Sequence, residues 1–267
     1  MAILQAFHSA ATLALVIGSL VVGIKLLGLA RRTGQRPELL LGGAILCTGG
    51  IGYGFLIAAF TAAGGAGATV APDQVPYSAV VLAAIGRVVH NFGVSLYLVF
   101  VVSVFRPRAR WAWGLAGVAG GLLWLGFAVG VAQGGLRFEG VGSVAWFSEQ
   151  LVIWLYPVWN GFESFRYWAL MRRRAAFGLA DPLVTNRFLL WGTGSISAAL
   201  AIWTASLPFA FMADTATLAA ITPPIRVLTA AFGLVAVSCS FLAFLPPTWY
   251  RRRVLETASA VGRAATT

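Results

Sequence analysis

The sequence predicts an all-α integral membrane protein, a bundle of seven transmembrane helices with its N-terminus outside and its C-terminus in the cytoplasm. Three observations predict it. First, 59% of the 267 residues are hydrophobic, 10% are charged and the mean hydropathy is +0.85, more apolar surface than a soluble domain of this size can hide. Second, seven apolar runs each reach the roughly 20 residues that a helix needs to cross a bilayer. Third, the basic residues gather at alternate connections between those runs, which is the signature of a fixed membrane orientation.

The first run, Phe7–Leu29, has no basic residue before it and Arg31, Arg32 and Arg36 after it. That order suits an outside-facing N-terminal anchor rather than a cleavable signal peptide. The second, Leu39–Phe60, leads into a glycine-rich outer loop, Ala62–Thr69, and the third, Tyr77–Phe105, ends in Arg106, Arg108 and Arg110. The fourth, Trp111–Val131, has no ionisable side chain, and its Gly117-x-x-x-Gly121 is a spacing that lets membrane helices approach closely. The fifth, Ser143–Met171, is the most polar and runs into Arg172, Arg173 and Arg174. Arg187 precedes the sixth, Phe188–Phe211, and the seventh, Pro224–Leu245, is followed by Arg251, Arg252 and Arg253.

Every basic cluster thus falls on one side. The opposite connections, 61–76, 132–142 and 212–223, hold Arg137 with the acids Asp73, Glu139 and Asp214. The positive-inside rule makes the arginine-rich side cytoplasmic. Residues 1–250 then form one seven-helix domain, and 251–267 a cytoplasmic tail too short for an enzymatic output domain.

An internal repeat is suggested by a constant offset. Lys25 and Arg166 each precede by six residues the start of a basic cluster, and the third and seventh runs share VLAAIGRVV (81–89) against VLTAAFGLVAV (227–237). Runs one to three and five to seven would then be parallel repeats joined by the fourth, a plan in which ligands often sit at the repeat interface near mid-membrane.

Two runs carry polar constellations. Arg87, His90 and Asn91 recur at spacings of three and four inside the apolar third run, where an ionisable group costs roughly 2.5–3.5 kcal/mol on insertion scales. On the fifth, Glu149, Ile153, Tyr156, Asn160, Glu163 and Tyr167 line one face, and lipid cannot satisfy such a face, so it turns inward. At 1.5 Å per residue, Arg87 lies roughly 15 Å from Tyr77 and Glu149 roughly 9 Å from Ser143, within reach of a long side chain, while His90 and Tyr156 both lie roughly 20 Å deep. The expectation is an Arg87–Glu149 pair with His90, Asn91, Gln150, Tyr156 and Asn160 completing a polar ligand pocket in the outer and middle bundle. Glu163 and Arg166, with Lys25 nearby, form a second, interfacial network near the cytoplasmic end.

Several classes are disfavoured. The net charge of +11 would suggest nucleic acid in a soluble chain, but here the arginines serve as topology anchors facing anionic lipid, so no nucleic-acid partner is expected. Cys47 and Cys239 lie inside runs, so neither a disulfide framework nor zinc spacing is present. His8, at the outer entrance, is not level with His90, which argues against haem, and no cofactor or metal is expected. Gly-x-Ser-x-Gly and His-Glu-x-x-His are absent, which argues against hydrolytic chemistry of those types. In helix number and orientation the chain is similar to microbial rhodopsins and to SWEET-type sugar carriers. The resemblance is one of architecture only: the seventh run lacks a retinal-binding lysine, and the first run lacks the carriers' proline.

The expected function is therefore a receptor-like or sensory membrane protein that binds a small ligand from outside and signals through a protein partner. A proton-coupled carrier and a structural or assembly subunit are the alternatives. The Ala, Gly and Arg richness with a single lysine is typical of GC-rich bacterial genomes and suggests a bacterial inner membrane.

Overall fold

The computed structural model describes residues 2–64, 74–134, 143–175, 177–211 and 215–264. Among them are α1 (Ala2–Thr33), α2 (Arg36–Ile45), a π-helical segment (Leu46–Gly52), α3 (Tyr53–Ala62), α4 (Tyr77–Phe105), α5 (Arg110–Ala132), α6 (Val144–Ala175), α7 (Pro182–Phe211), α8 (Thr215–Phe244) and α9 (Thr248–Ala264), and no strand. Asp73, Arg137, Glu139, Asp214 and most of the glycine-rich outer loop lie outside the described residues. Six helices are long and apolar enough to cross a membrane: Gln5–Thr33, Arg36–Ala62, Tyr77–Phe105, Arg110–Ala132, Pro182–Pro208 and Ala220–Phe244. This is a helical, multi-pass membrane protein.

Several helices run past the apolar stretches that mark them in sequence. α1 and α6 absorb Arg31, Arg32 and Arg172–Arg174 into their last turns, where cations complement the carbonyl end of the helix dipole. Gly34 stops α1 with a φ of 69° and its N–H bonded to Ala30 O at 2.8 Å, a left-handed cap that costs glycine nothing. Pro37 opens α2, and Pro107 follows the end of α4, where the residue before a proline resists the helical region. α8 begins at Thr215 and carries Pro223 and Pro224 within it, so much of the expected outer connection is helical. The tail also folds: in α9, Tyr250, Val254 and Ala258 recur at four-residue spacing on the side opposite Arg252 and Arg253. Tyr250 Oη accepts a 2.9 Å bond from Asn186 Nδ2 at the start of α7.

α1, α2 with its continuation, α4, α6, α7 and α8 close a ring, each packed on the next and α8 on α1. α5 lies outside this ring over the seam between α4 and α6, and its apolar window is only 17% buried, the least of the six spans. Ala112, Ala116, Leu123, Gly126 and Gly130 form its inward stripe. A Cβ on Gly126 would stand 2.8 Å from Ala145 O and 2.9 Å from Glu149 N, so glycine there sets how closely α5 meets α6. The expected packing pair, Gly117 and Gly121, instead faces outward with nothing within 4 Å of a Cβ. α5 holds two such spacings, and its inward rotation selects Gly126-x-x-x-Gly130.

The π-helical turn marks a second close approach. A Cβ on Gly52 would meet His90 N at 2.9 Å, and one on Gly93 would meet Thr48 N at 2.8 Å. Glycines on both sides therefore let α4 lie backbone against backbone on LCTGGIG, whose i→i+5 bonds admit an extra residue into the turn.

Candidate functional site

α6 carries two buried carboxylates fourteen residues apart, one held by Arg87 of α4 and the other by Arg106, which caps that helix. Near the outer end by the expected orientation, Glu149 is 2% exposed. One oxygen accepts from the Arg87 guanidinium and the other from Asn91 Nδ2 at 2.9 Å. The guanidinium stacks 5.1 Å over the Phe127 ring of α5, a favourable place for a cation on an aromatic face. The Asn91 backbone carbonyl accepts from Ser95 Oγ at 2.9 Å, and Ser95 Oγ accepts from the Trp124 indole at 3.0 Å. One charge-balanced cluster thus ties α4, α5 and α6 together.

At the other end, Glu163 is 1% exposed and accepts from Arg106 Nε at 2.7 Å and Arg166 at 3.3 Å. Arg106 stacks 5.7 Å over Trp111. Lys25, expected in this network, is exposed on α1. Arg106 takes its place because α4 ends level with Glu163.

Between these clusters a cavity of about 350 Å³ occupies the centre of the ring, and His90 in its wall lies against Asn91 of the outer cluster. Its lining comes from α1, α2, the π-helical segment, α3, α4, α6, α7 and α8, and none comes from α5. His90, Tyr97, Tyr156, Asn160 and Ser195 give it a polar middle, Tyr53 and Thr48 face it from the π-helical side, and His8 lies toward the N-terminal end of α1. His8 Nδ1 is 3.3 Å from Arg226 O. Small side chains, among them Ala11, Gly18, Ala198, Ala201, Gly233 and Ala236, leave the space open.

Pro157 kinks this wall. It cannot donate to the Ile153 carbonyl, and its ring opens the turn. The neighbouring Trp154 carbonyl accepts from Trp203 Nε1 at 3.2 Å, and Trp154 donates to Ser206 Oγ at 2.7 Å. Lower on the same face, Asn160 Nδ2 donates to Ser195 Oγ at 2.7 Å. Asn160 Oδ1 and Trp191 Nε1, both buried, have no hydrogen-bond partner among the described residues.

An aromatic cluster underlies the cavity. Trp191 meets Phe100, Phe188 and Phe244 at ring-centroid distances of 5.8, 5.4 and 5.5 Å, and Tyr167 joins Phe105 at 5.0 Å and Phe188 at 5.6 Å. It stands between the cavity and the Glu163 cluster.

The residues expected to form one pocket therefore fall into two groups. Arg87, Asn91 and Glu149 make the outer ion cluster, while His90, Tyr156 and Asn160 line the cavity. Gln150, one position after Glu149, is half-buried and lines neither. Arg87 and Asn91 lie about 40° apart around α4 and Asn91 and His90 about 100° apart, so α4 presents one to α6 and the other to the ring centre. Sequence reasoning missed Arg106, Tyr53, Tyr97 and the π-helical turn. The glycine density of CTGGIG inside an apolar run was the available signal for the last. Among the described residues, no three of His, Cys, Asp and Glu gather as metal ligands would. Comparison of the chain with models of known families, with curated proteins and with solved structures found no match.

Proposed function

We propose that the chain is a receptor-like, seven-helix protein of a bacterial inner membrane that binds a small ligand in the central cavity and relays it to a cytoplasmic partner. The observation that carries this reading is the cavity itself: it is lined by six helical spans, with hydrogen-bonding side chains at mid-depth and a volume in the range of small-molecule sites.

α6 is the seventh span. Its hydropathy is low because Glu149, Asn160, Glu163 and Ser164 are buried, while Leu151, Leu155 and Phe162 are 44%, 51% and 63% exposed to the lipid side. The arginine clusters set the N-terminus outside, with α9 on the cytoplasmic membrane surface. The three-plus-one-plus-three repeat agrees with a cavity lined by three spans from each half and none from α5.

The receptor reading is favoured over a proton-coupled carrier because Glu149 and Glu163 are ion-paired away from the cavity and the aromatic cluster stands below it. α4 and α6 both touch the cavity, and the Arg106–Glu163–Arg166 cluster joins the end of α4 to α6, so a ligand that shifts one against the other alters contacts at that cluster.

The test uses purified protein in lipid nanodiscs, screened by thermal shift with uncharged small molecules. Stabilisation by a compound, lost in the cavity-filling variant Ala201→Phe while the compound-free melting temperature stays the same or rises, supports the reading. Solute uptake into proteoliposomes that the same substitution abolishes would replace the receptor with a carrier.

A further inference from the structure

We infer that the cavity takes an uncharged, elongated, mostly apolar molecule bearing one hydroxyl group, an assignment that presupposes the ligand-binding role proposed above. Three features of the wall carry it.

The first is charge. None of the lining side chains is Asp, Glu, Lys or Arg, and the nearest guanidinium on α4, that of Arg87, is engaged by Glu149. An ionised ligand would give up its hydration with no counter-charge in the wall, a loss that neutral dipoles offset poorly.

The second is shape. The lining runs along α7 from Leu190 to Ser206 and along α8 from Thr229 to Phe244, roughly 22–24 Å of helix rise. A volume of about 350 Å³ drawn out over that length is narrow, the form of a single chain rather than a compact polar solute. Alanine and glycine line much of it, and Phe100, Trp191 and Phe244 form its inner end.

The third is the pattern of polar atoms without partners. Two hydroxyls of the outer wall are already paired: Ser206 accepts from Trp154, and Thr229 shares a 2.9 Å bond with Thr204. Tyrosine, serine and histidine side chains can exchange donor and acceptor roles. An amide oxygen and an indole N–H cannot. Asn160 Oδ1 accepts only and Trp191 Nε1 donates only, and both lack partners. Asn160 is bonded to Ser195, one turn along α7 from Trp191, so the two groups lie within about one helical turn. A hydroxyl is the smallest group that donates to one and accepts from the other.

The test measures competition by tetradecanol, its methyl ether, tetradecanoate and tetradecylammonium against a diazirine-bearing tetradecanol that photolabels the protein in nanodiscs. Tetradecanol is expected to bind about tenfold more tightly than the ether, which accepts but cannot donate, and the two ions more weakly still. Trp191→Phe, which keeps the aromatic packing and removes the N–H, is expected to weaken the alcohol and the ether about tenfold each, since both oxygens accept from the indole. Equal or tighter binding of either ion, or alcohol binding that Trp191→Phe leaves intact, overturns the assignment. So does failure of all four chains to bind: with other hits in the thermal-shift screen the receptor reading survives, and with none it falls too.

Discussion

Glu149 and Glu163 share a helix, a face and a partner helix, yet their surroundings differ. Glu149 meets one arginine and one neutral amide, and the arginine side chain is only 19% exposed beneath α5. Glu163 meets two arginines that are 26% and 45% exposed. The outer cluster is charge-balanced and sealed, whereas the inner one carries an excess positive charge and faces solvent or headgroups. Desolvation makes a sealed pair costly to break from one side. Partial exposure lets the inner pair re-form with water or a second cation, so it costs less to break than the outer one.

The largest expected effect tests the sealed cluster. Arg87→Met leaves a buried carboxylate without its cation and should destabilise the protein by about 3–5 kcal/mol, read as a loss of thermal stability in nanodiscs. The double variant Arg87→Met/Glu149→Leu should recover most of that loss, and a double variant no more stable than the single would show that the pair is not sealed.

Next in size is Gly126→Leu, whose side chain drives α5 off Ala145 and Glu149 at about 1–3 kcal/mol. Gly117→Leu, on the open face, should change the unfolding midpoint in denaturant by less than about 0.5 kcal/mol. If the two glycines behaved alike, α5 would be rotated from the position described.

Arg106→Met should cost about 1–2 kcal/mol because Arg166 still holds Glu163. Arg166→Ala, at the most exposed partner, should cost no more than about 1 kcal/mol. Stability curves at low and high salt sharpen the contrast further: the inner variants should converge on the parent as salt rises, and the Arg87 variant should not, since screening reaches exposed pairs more than buried ones.

Much of this was legible in the chain. A polar stripe at intervals of three and four on α6 has one stable orientation in lipid, so the burial of Glu149, Asn160 and Glu163 followed from periodicity alone. Arg87 and Glu149 could be matched by depth, because helix rise converts residue number to distance. His90 was grouped with Arg87 for the same reason, and there the reasoning reached its limit: a spacing of three spans enough of the helix circumference to straddle a seam. Lys25 was placed near Glu163 on the expectation that the first and fifth runs adjoin there, and sequence carries no information about which helix stands beside which. Arg106 was read as a topology anchor, and it serves as a counter-ion as well.

The sequence by itself determined the apolar spans, the inward side of α6, the arginine-rich ends and the glycines available for close packing. These follow from local rules: rise per residue, helical period and the cost of polar groups in hydrocarbon. Tertiary structure alone decided which glycine pair of α5 meets a neighbour, that Arg106 rather than Lys25 holds Glu163, and that Arg87 and His90 face different compartments. Each of these depends on the rotation and order of helices around the ring, which are set by packing between segments far apart in the chain. The central cavity belongs to the same class. No single helix encodes it, because it is the space that small residues on six helices leave when their larger neighbours meet.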